Sequence, residues 1–266
     1  MPLSPLLAAY DHVMLDLDGC VWISDEPTRR APDAIGALRA AHKSIAFVTN
    51  DAQHSPEEYV RKLWSLGIQA SLEEIVTVGA AIQFVLAERG TGAGVYVIGS
   101  PAIFRHVTDS GQRVLNGTPH ESEAEIVVIG GHEHVHFSDL APAIRSVLGG
   151  AYMIGAGRDR TYPTADGIAP GTGAVIAALE YATERTATIA GKPDVQIFRT
   201  ALDRLGPGRT LVIGDRLDAD LGGAAAAGLD GAIVLTGVTS AEAAAAADDP
   251  APVAVAADLH ALVTDG

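Results

Sequence analysis

A short apolar run that ends in two carboxylates constrains this chain more than any other stretch. Residues 13–20 read Val-Met-Leu-Asp-Leu-Asp-Gly-Cys, which places Asp16 and Asp18 at the end of the run, directly before Gly19. Such a run is typical of a buried parallel strand, and open α/β sheets bind ligands at the carboxyl ends of their strands. Since residues two apart on an extended strand point to one side, both carboxylates are predicted to face a common site. Neighbouring carboxylates need a cation or a shared proton, so the pattern indicates a metal.

The rest of the chain alternates between apolar strand runs and helical patterns, as in a doubly wound parallel α/β sheet. A glycine-rich segment at 89–94, Arg-Gly-Thr-Gly-Ala-Gly, is predicted to be a domain crossing. We therefore predict a discontinuous core of residues 1–82 and 186–266, with an inserted α/β domain at 83–185. Residues 21–30 are expected to form a loop or flap, and residues 155–170 a long loop within the insert.

Charge and cysteine content exclude several classes of protein. The chain carries 33 acidic against 18 basic residues, a formal charge of −15, and so acidic a surface repels nucleic acid and anionic membranes. No apolar run approaches the length of a membrane-spanning helix, and the first residues lack the basic start of a secretory signal. Cys20 is the sole cysteine, which fits a reducing compartment. We expect a soluble cytoplasmic protein.

Polar residues suited to phosphate chemistry follow or lie beside several predicted strands. These residues are Asp16 with Asp18, Thr49 with Asn50, Lys192, and Asp215 with Asp220. One carboxylate can attack phosphorus, and two or three acids can hold Mg²⁺. A lysine and a hydroxyl can neutralise the phosphoryl oxygens, and a second acid can move protons. Each cluster alone is equally explained as strand-end turn formers or as acids at a helix start, but their joint occurrence favours a site.

Four segments, in order, resemble the motifs of the haloacid dehalogenase superfamily. The segments are Asp16-Leu-Asp-Gly, Phe47-Val-Thr-Asn, Gly191-Lys-Pro and Gly214-Asp-Arg-Leu-Asp-Ala-Asp. The insert before the lysine motif, together with Asp166-Gly-Ile-Ala-Pro-Gly-Thr-Gly, is similar to the NagD-like, p-nitrophenylphosphatase-like branch. The resemblance runs from about residue 12 to the segment Leu235-Thr-Gly-Val-Thr. It implies a Rossmann-like core with an inserted α/β cap that closes over the substrate.

The resemblance also implies a Mg²⁺-dependent phosphatase that acts on a small phosphomonoester through an aspartyl-phosphate. Asp16 would be the nucleophile, and Asp18 the general acid and base. Asp16, Asp215 and the backbone carbonyl of Asp18 would hold Mg²⁺. Two non-phosphatase alternatives stay open: a phosphoryl-transfer mutase of the same superfamily, and a phospho-acceptor receiver protein, which has no acid at the Asp18 position.

The remaining motif residues would bind the phosphoryl group or support those that do. Thr49 and Lys192 would bind the phosphoryl oxygens, and Asn50 would contact phosphate or substrate. Asp220 would hold either metal-bound water or Lys192. Cys20 stands where relatives commonly have threonine, and packing explains it better than nucleophilic chemistry, because nearby carboxylates disfavour a thiolate.

The insert is predicted to select the substrate. Arg158, Asp159 and Tyr162 lie in segment 155–170, which the resemblance places over the active site; alternatively, Arg158 and Asp159 pair with each other and hold the loop. The alternating histidines at 132, 134 and 136 are either metal ligands or an exposed loop. The resemblance places the first of them near the substrate. Relatives often dimerise through the cap, so a homodimer is also expected.

Overall fold

The computed structural model describes residues 2–131, 135–164 and 167–265, and the chain divides into two compact units. The first comprises Met1–Thr49, Pro56–Val76 and Lys192–Gly266, and the second comprises residues 50–55 and 77–191. These limits differ from the predicted ones at 82/83 and 185/186. Helix 78–88 and the segment before Lys192 belong to the second unit. The identification of the units as a catalytic core and a cap stays a prediction.

The first unit is built on a six-stranded sheet in the order β15-β14-β13-β1-β4-β5, with strands and helices numbered along the chain. Its strands are β1 (His12–Asp16), β4 (Ser44–Thr49), β5 (Ile75–Thr77), β13 (Thr210–Gly214), β14 (Asp230–Val234) and β15 (Ala254–Ala256). The pairings from β4 through β1 to β15 are all parallel. The predicted doubly wound α/β fold is confirmed.

Helices flank this sheet, and its central strands are accordingly buried along nearly their whole length. The helices are α1 (Pro5–Ala8), α2 (Ala31–Ala40), α3 (Pro56–Ser65), α8 (Val195–Leu205), α9 (Gly222–Ala226), α10 (Ala241–Ala246) and α11 (Leu259–Val263). A 3₁₀ turn at Leu72–Glu74 precedes β5, and a π-helical turn at Leu217–Leu221 follows β13. A continuous apolar run predicts a buried parallel strand, because helices usually cover both faces of a parallel sheet.

The predicted loop at residues 21–30 contains a short antiparallel hairpin. Its strands are β2 (Trp22–Ile23) and β3 (Glu26–Pro27). The Trp22 ring is fully buried and stacks on Tyr59 of α3, with ring centroids 6.1 Å apart. The side chain of Trp22 therefore anchors this segment to the core of the first unit.

The second unit has its own five-stranded sheet, in the order β12-β9-β8-β6-β7, with parallel pairings. The strands are β6 (Gly94–Gly99), β7 (Arg113–Val114), β8 (Ile126–Gly130), β9 (Tyr152–Gly155) and β12 (Thr188–Ile189). The helices are α4 (Val78–Glu88), α5 (Pro101–Asp109), α6 (Phe137–Leu148) and α7 (Thr172–Thr183), with a 3₁₀ turn at Glu121–Glu123.

Segment 155–170 is not the structureless loop predicted from its sequence. It contains a second antiparallel hairpin, β10 (Thr161–Thr164) and β11 (Gly167–Pro170). Pro163 and Gly167 are residues that usually break strands. These four-residue strands therefore carry little sequence signal.

None of the described helices is both long and apolar enough to cross a membrane. The longest of them, α6 and α7, have 12 residues each, whereas a bilayer requires about 20.

Candidate active site

Three adjacent strands of the first unit bring candidate residues to one edge of its sheet. Strand β1 ends at Asp16, β4 ends at Thr49, and Asp215 directly follows β13. Because β1 pairs in parallel with both β4 and β13, the carboxyl ends of the three strands meet. In this register Asp16 lies beside Val48.

Lys192 joins two of the predicted acids in a buried ion pair. Its Nζ donates a hydrogen bond to Oδ1 of Asp16 and another, 2.7 Å long, to Oδ1 of Asp220. The side chains of Lys192 and Asp220 are 5% and 2% exposed, and that of Asp16 is 12% exposed. Solvent or substrate therefore reaches Asp16 more readily than its two partners.

The pKa shifts in this cluster follow from its burial and from its excess of negative charge. Burial raises the pKa of Asp16 to about 8; Lys192 opposes this rise, whereas Asp220 and Asp215 add to it. Burial also raises the pKa of Asp215. Burial lowers the pKa of Lys192, but Asp16 and Asp220 outweigh that effect and raise it overall. One ammonium faces three carboxylates, so the cluster favours a further cation.

The three carboxylates are close enough to share such a cation. Asp16, Asp215 and Asp220 each offer one oxygen, and these oxygens lie within 4.8 Å of one another. Mg²⁺ prefers oxygen ligands and binds through one or two carboxylates plus phosphate, so this donor set fits it. Both oxygens of Asp220 already accept hydrogen bonds, from Lys192 and from the backbone N of Arg216 at 3.1 Å. We therefore regard Asp16 and Asp215 as the stronger ligands.

Asp18 lies beyond the end of the first strand. Strand β1 ends at Asp16, so the alternation of an extended strand does not by itself position Asp18, and a common site for the two carboxylates stays a prediction. Asp18 is exposed, and its Oδ1 accepts a hydrogen bond from the indole Nε1 of Trp22 at 2.7 Å. The proton-transfer role of Asp18 stays a prediction.

Two other motif residues lie on either side of the boundary between the units. Thr49 is buried at the end of β4, in the first unit. Asn50 belongs to the second unit, where its Oδ1 would lie 2.6 Å from a Cβ placed on Gly191. Gly191 therefore leaves room for the Asn50 amide. The phosphate contacts predicted for Thr49 and Asn50 stay predictions.

In the second unit, Arg158 binds a helix of the same unit. Its guanidinium donates to both carboxylate oxygens of Glu180 in α7, at 2.9 and 2.8 Å, and this bonding lowers the pKa of Glu180. This bidentate ion pair gives Arg158 a structural partner within its own unit. The side chain of Tyr162, like residues 132, 134 and 166, lies outside what the structure describes. The specificity role of Arg158, Asp159 and Tyr162 stays a prediction.

Cys20 and His136, which the sequence also singled out, differ in their burial. Cys20 is fully buried within the hydrophobic core of the first unit. Burial, followed by the charge of Asp16, raises the pKa of its thiol, which disfavours a nucleophilic thiolate and agrees with the predicted packing role. His136 is exposed at the start of α6, and its backbone N donates to Asp139 at 2.8 Å.

One set of contacts to the cluster was not predicted from the sequence, and it comes from a turn. Residues 235–239 follow β14, and Val238 N donates to Oδ2 of Asp215 at 2.6 Å. In the same turn, the hydroxyl of Thr236 donates to the carbonyl of Gly19 at 2.5 Å. The available signal was the Thr-Gly pair at 236–237, one residue beyond a strand that neighbours β13 in the sheet.

Comparison with protein families gives two matches along the chain. A family described as haloacid dehalogenase-like hydrolase matches residues 13–113, and a related one, described as HAD-hydrolase-like, matches residues 189–262.

Comparison with individual proteins gives phosphatases. The D-glycerol 3-phosphate phosphatase of Mycobacterium tuberculosis is 37% identical, over 87% of this chain and 65% of its own length. The glycerol-3-phosphate phosphatase of Homo sapiens is 33% identical, over 88% of this chain and 82% of its own length. This chain therefore spans just under two thirds of the mycobacterial protein and most of the human one.

Solved structures agree with these matches. A crystal structure of glycerol phosphate phosphatase from M. tuberculosis in complex with magnesium has a TM-score of 0.89 and 36% identity, covering 99% of this chain and 79% of that one. A p-nitrophenyl phosphatase from Archaeoglobus fulgidus has a TM-score of 0.87 and 29% identity, covering 95% and 98%.

Proposed function

The chain belongs to the haloacid dehalogenase-like hydrolases and is a phosphatase, and from this premise we propose that it hydrolyses a small phosphorylated polyol through an aspartyl-phosphate at Asp16. The observation that carries this proposal is the buried Lys192, which binds both Asp16 and Asp220. This contact holds a partly accessible carboxylate beside a fixed positive charge, as a nucleophile for an anionic ester requires.

In the first step, a carboxylate oxygen of Asp16 attacks phosphorus, and the bond from phosphorus to the alcohol oxygen of the substrate breaks. Asp18 donates a proton to that leaving oxygen. In the second step, Asp18 takes a proton from water, and the water oxygen attacks phosphorus and releases phosphate from Asp16. One difficult displacement is thus divided into two easier ones.

Lys192 and Thr49 act on the phosphoryl oxygens throughout both steps. Lys192 supplies charge, and Asp220 orients it through the 2.7 Å hydrogen bond. The Thr49 hydroxyl supplies a hydrogen bond from the end of the adjacent strand β4. Such groups stabilise the charge that spreads over the equatorial oxygens of the transition state.

Mg²⁺ is the cofactor, and Asp16, Asp215 and the backbone carbonyl of Asp18 would hold it. When bound, it supplies positive charge against the phosphate and the neighbouring carboxylates. Burial first, and the neighbouring carboxylates after it, raise the pKa of Asp16 and of Asp215. Metal binding competes with protons at such carboxylates.

Glycerol 3-phosphate is the first substrate to test, because relatives from a bacterium and from vertebrates are glycerol phosphate phosphatases. An acid sugar phosphatase of Staphylococcus aureus, 31% identical, points to sugar phosphates as the next class. The reaction should release inorganic phosphate, whereas a mutase would return a rearranged phosphate ester.

A panel of phosphomonoesters assayed with and without Mg²⁺ tests this function. We expect phosphate release from glycerol 3-phosphate to require Mg²⁺, to stop with a chelator, and to return when Mg²⁺ is restored in excess, because the carboxylate cluster needs the cation. Undiminished activity after exhaustive chelation would contradict the cofactor. Absence of phosphate release from every ester of the panel, with Mg²⁺ present, would contradict the function.

We propose that Tyr162, with Arg158 and Asp159, recognises the part of the substrate that is not phosphate. Replacing Tyr162 with alanine should then change the ranking of substrates by kcat/KM and affect p-nitrophenyl phosphate less, since the phosphoryl group is common to all of them. The matched control is Tyr181→Ala, because Tyr181 is 91% exposed on α7 of the same unit. An equal loss with every substrate would contradict the specificity role.

We further propose that the protein works in the cytoplasm and forms a homodimer. A single cysteine, buried in the core, supports a reducing compartment. The dimer rests on the resemblance alone. Sedimentation at several concentrations should show a dimer, and a strictly monomeric protein would contradict it.

A further inference from the structure

We propose that the turn at residues 235–239 is a positioning element for the metal ligand Asp215, and that Gly237 is the residue on which it depends. This inference rests on the proposed function, because it assigns Asp215 to Mg²⁺. The turn follows β14, which neighbours β13 in the core sheet. Both the turn and Asp215 belong to the first unit.

The turn holds Asp215 through its side chain and through its backbone. Val238 N donates to the carboxylate Oδ2 at 2.6 Å, and Thr239 N donates to the backbone carbonyl of Asp215 at 3.1 Å. The first bond fixes the rotation of the carboxylate, and the second fixes the backbone from which it projects. Hydrogen bonds from N–H groups to a carboxylate are among the stronger ones, because the acceptor is charged.

The same turn also binds the segment that carries Asp16 and Asp18. The hydroxyl of Thr236 donates to the carbonyl of Gly19 at 2.5 Å. Gly19 has a φ of +84°, and a Cβ there would lie 2.6 Å from Oδ2 of Asp215. The turn therefore links the chain after β1 to the carboxylate after β13.

Glycine at position 237 is explained by this close approach. A Cβ on Gly237 would meet the Asp215 carboxylate well inside 3.0 Å, a separation that real Cβ atoms essentially never show. Gly237 does not adopt a positive φ, so a left-handed backbone does not explain the glycine. The cost of a side chain at this position is thus displacement of the carboxylate, which makes alanine a specific probe of its position.

The second layer around a metal site sets the orientation of its ligands, and changes there commonly cost about 10- to 100-fold in metal affinity. We expect Gly237→Ala to weaken Mg²⁺ binding, measured by isothermal titration calorimetry, by about that factor. Raised Mg²⁺ should restore much of the lost kcat, whereas KM for the substrate, measured at saturating Mg²⁺, should change little. Thr236→Val should weaken Mg²⁺ binding in the same direction, and it is the second probe should Gly237→Ala fail to fold.

Two matched controls separate positioning from general damage. Val238→Ala removes a side chain that is 76% exposed but keeps the N–H donor. Gly36→Ala adds a methyl group in α2 where nothing lies within 4 Å. Both controls should keep wild-type Mg²⁺ affinity.

Unchanged Mg²⁺ affinity in folded Gly237→Ala and Thr236→Val, with an active wild type, would overturn the inference and leave the proposed function intact. A wild type that neither binds Mg²⁺ nor releases phosphate would instead overturn the proposed function.

Discussion

Replacing Asp16 with asparagine is expected to lower kcat by about a thousandfold or more, as loss of a catalytic nucleophile does. The amide is nearly isosteric with the carboxylate but does not attack phosphorus, so the covalent route closes. The fold should survive, because Lys192 keeps its ion pair with Asp220 and the amide oxygen still accepts a hydrogen bond. Steady-state kinetics on purified protein, with circular dichroism as the check on folding, measures the effect.

Asp218→Asn is the matched control for this substitution. Asp218 belongs to the same acidic motif as Asp215, but its side chain is 71% exposed and pairs with Arg216 at 2.8 Å. Its loss should leave kcat within about twofold of the wild type, as expected for an exposed ion pair. Activity of Asp16→Asn within about tenfold of wild type would contradict the assignment of Asp16 as nucleophile.

Replacing Lys192 with methionine is expected to remove both activity and much of the stability of the metal-free protein. The change leaves Asp16 and Asp220 buried without their cation. Breaking a buried ion pair from one side costs about 3–5 kcal/mol. Urea unfolding with a chelator present should therefore show a large drop in the free energy of unfolding, and added Mg²⁺ should recover part of it.

The loss in free energy of unfolding caused by Lys192→Met should depend on pH in a defined direction. Burial raises the pKa of Asp16 from 3.8 to about 8, and Lys192 opposes that rise. Within this window the folded chain binds more protons than the unfolded chain, so stability falls as pH rises. Without Lys192 the folded-state pKa is higher still, so the deficit should be smaller at about pH 5 than at about pH 8.

Lys43→Met serves as the control for the lysine substitution. The Lys43 ammonium donates to the backbone carbonyls of Ala8 and Tyr10, so its loss uncovers no buried carboxylate. We expect a small deficit that does not change between about pH 5 and about pH 8, since no shifted carboxylate is involved. A loss of unfolding free energy for Lys192→Met that is as small as in this control, or that is larger at the lower pH, would contradict the role of Lys192 in neutralising the buried carboxylates.

The sequence predicted the parts of the site that lie at strand ends. Apolar runs located β1, β4 and β13, and parallel pairing then brings Asp16, Thr49 and Asp215 to one edge of the sheet. The motif spacing selected Lys192 and Asp220, which are 176 and 204 residues after Asp16 in the chain. Regular strands and ordered motifs are predictable from sequence, because their geometry follows from local periodicity and sheet pairing.

Contacts made by turns were not predictable in the same way. Nothing in the spacing of Val238 and Asp215, or of Thr236 and Gly19, signals their hydrogen bonds. These contacts depend on how two loops at adjacent strands approach each other. Asp18 lies beyond the end of β1, in a turn where its carboxylate accepts a hydrogen bond from Trp22, and strand alternation does not describe such a turn.

Some of the short strands of the second unit were not predictable from the sequence. Strand β7 has two residues, and β10 and β11 have four each, so they are too short to establish an alternating pattern. The ion pair of Arg158 with Glu180 crosses from segment 155–170 to α7. From the sequence, only the neighbouring Asp159 was predicted as a structural partner of Arg158.

Chemical trapping of the covalent intermediate tests the central claim most directly. The protein is mixed with glycerol 3-phosphate and Mg²⁺, quenched during turnover and treated with borohydride, which reduces an acyl phosphate to an alcohol. Peptide mass spectrometry should then find homoserine in place of Asp16, only when substrate was present, and not in the Asp16→Asn protein. Rapid turnover of substrate with unmodified Asp16, or with the modification at another carboxylate, would contradict an aspartyl-phosphate at this residue.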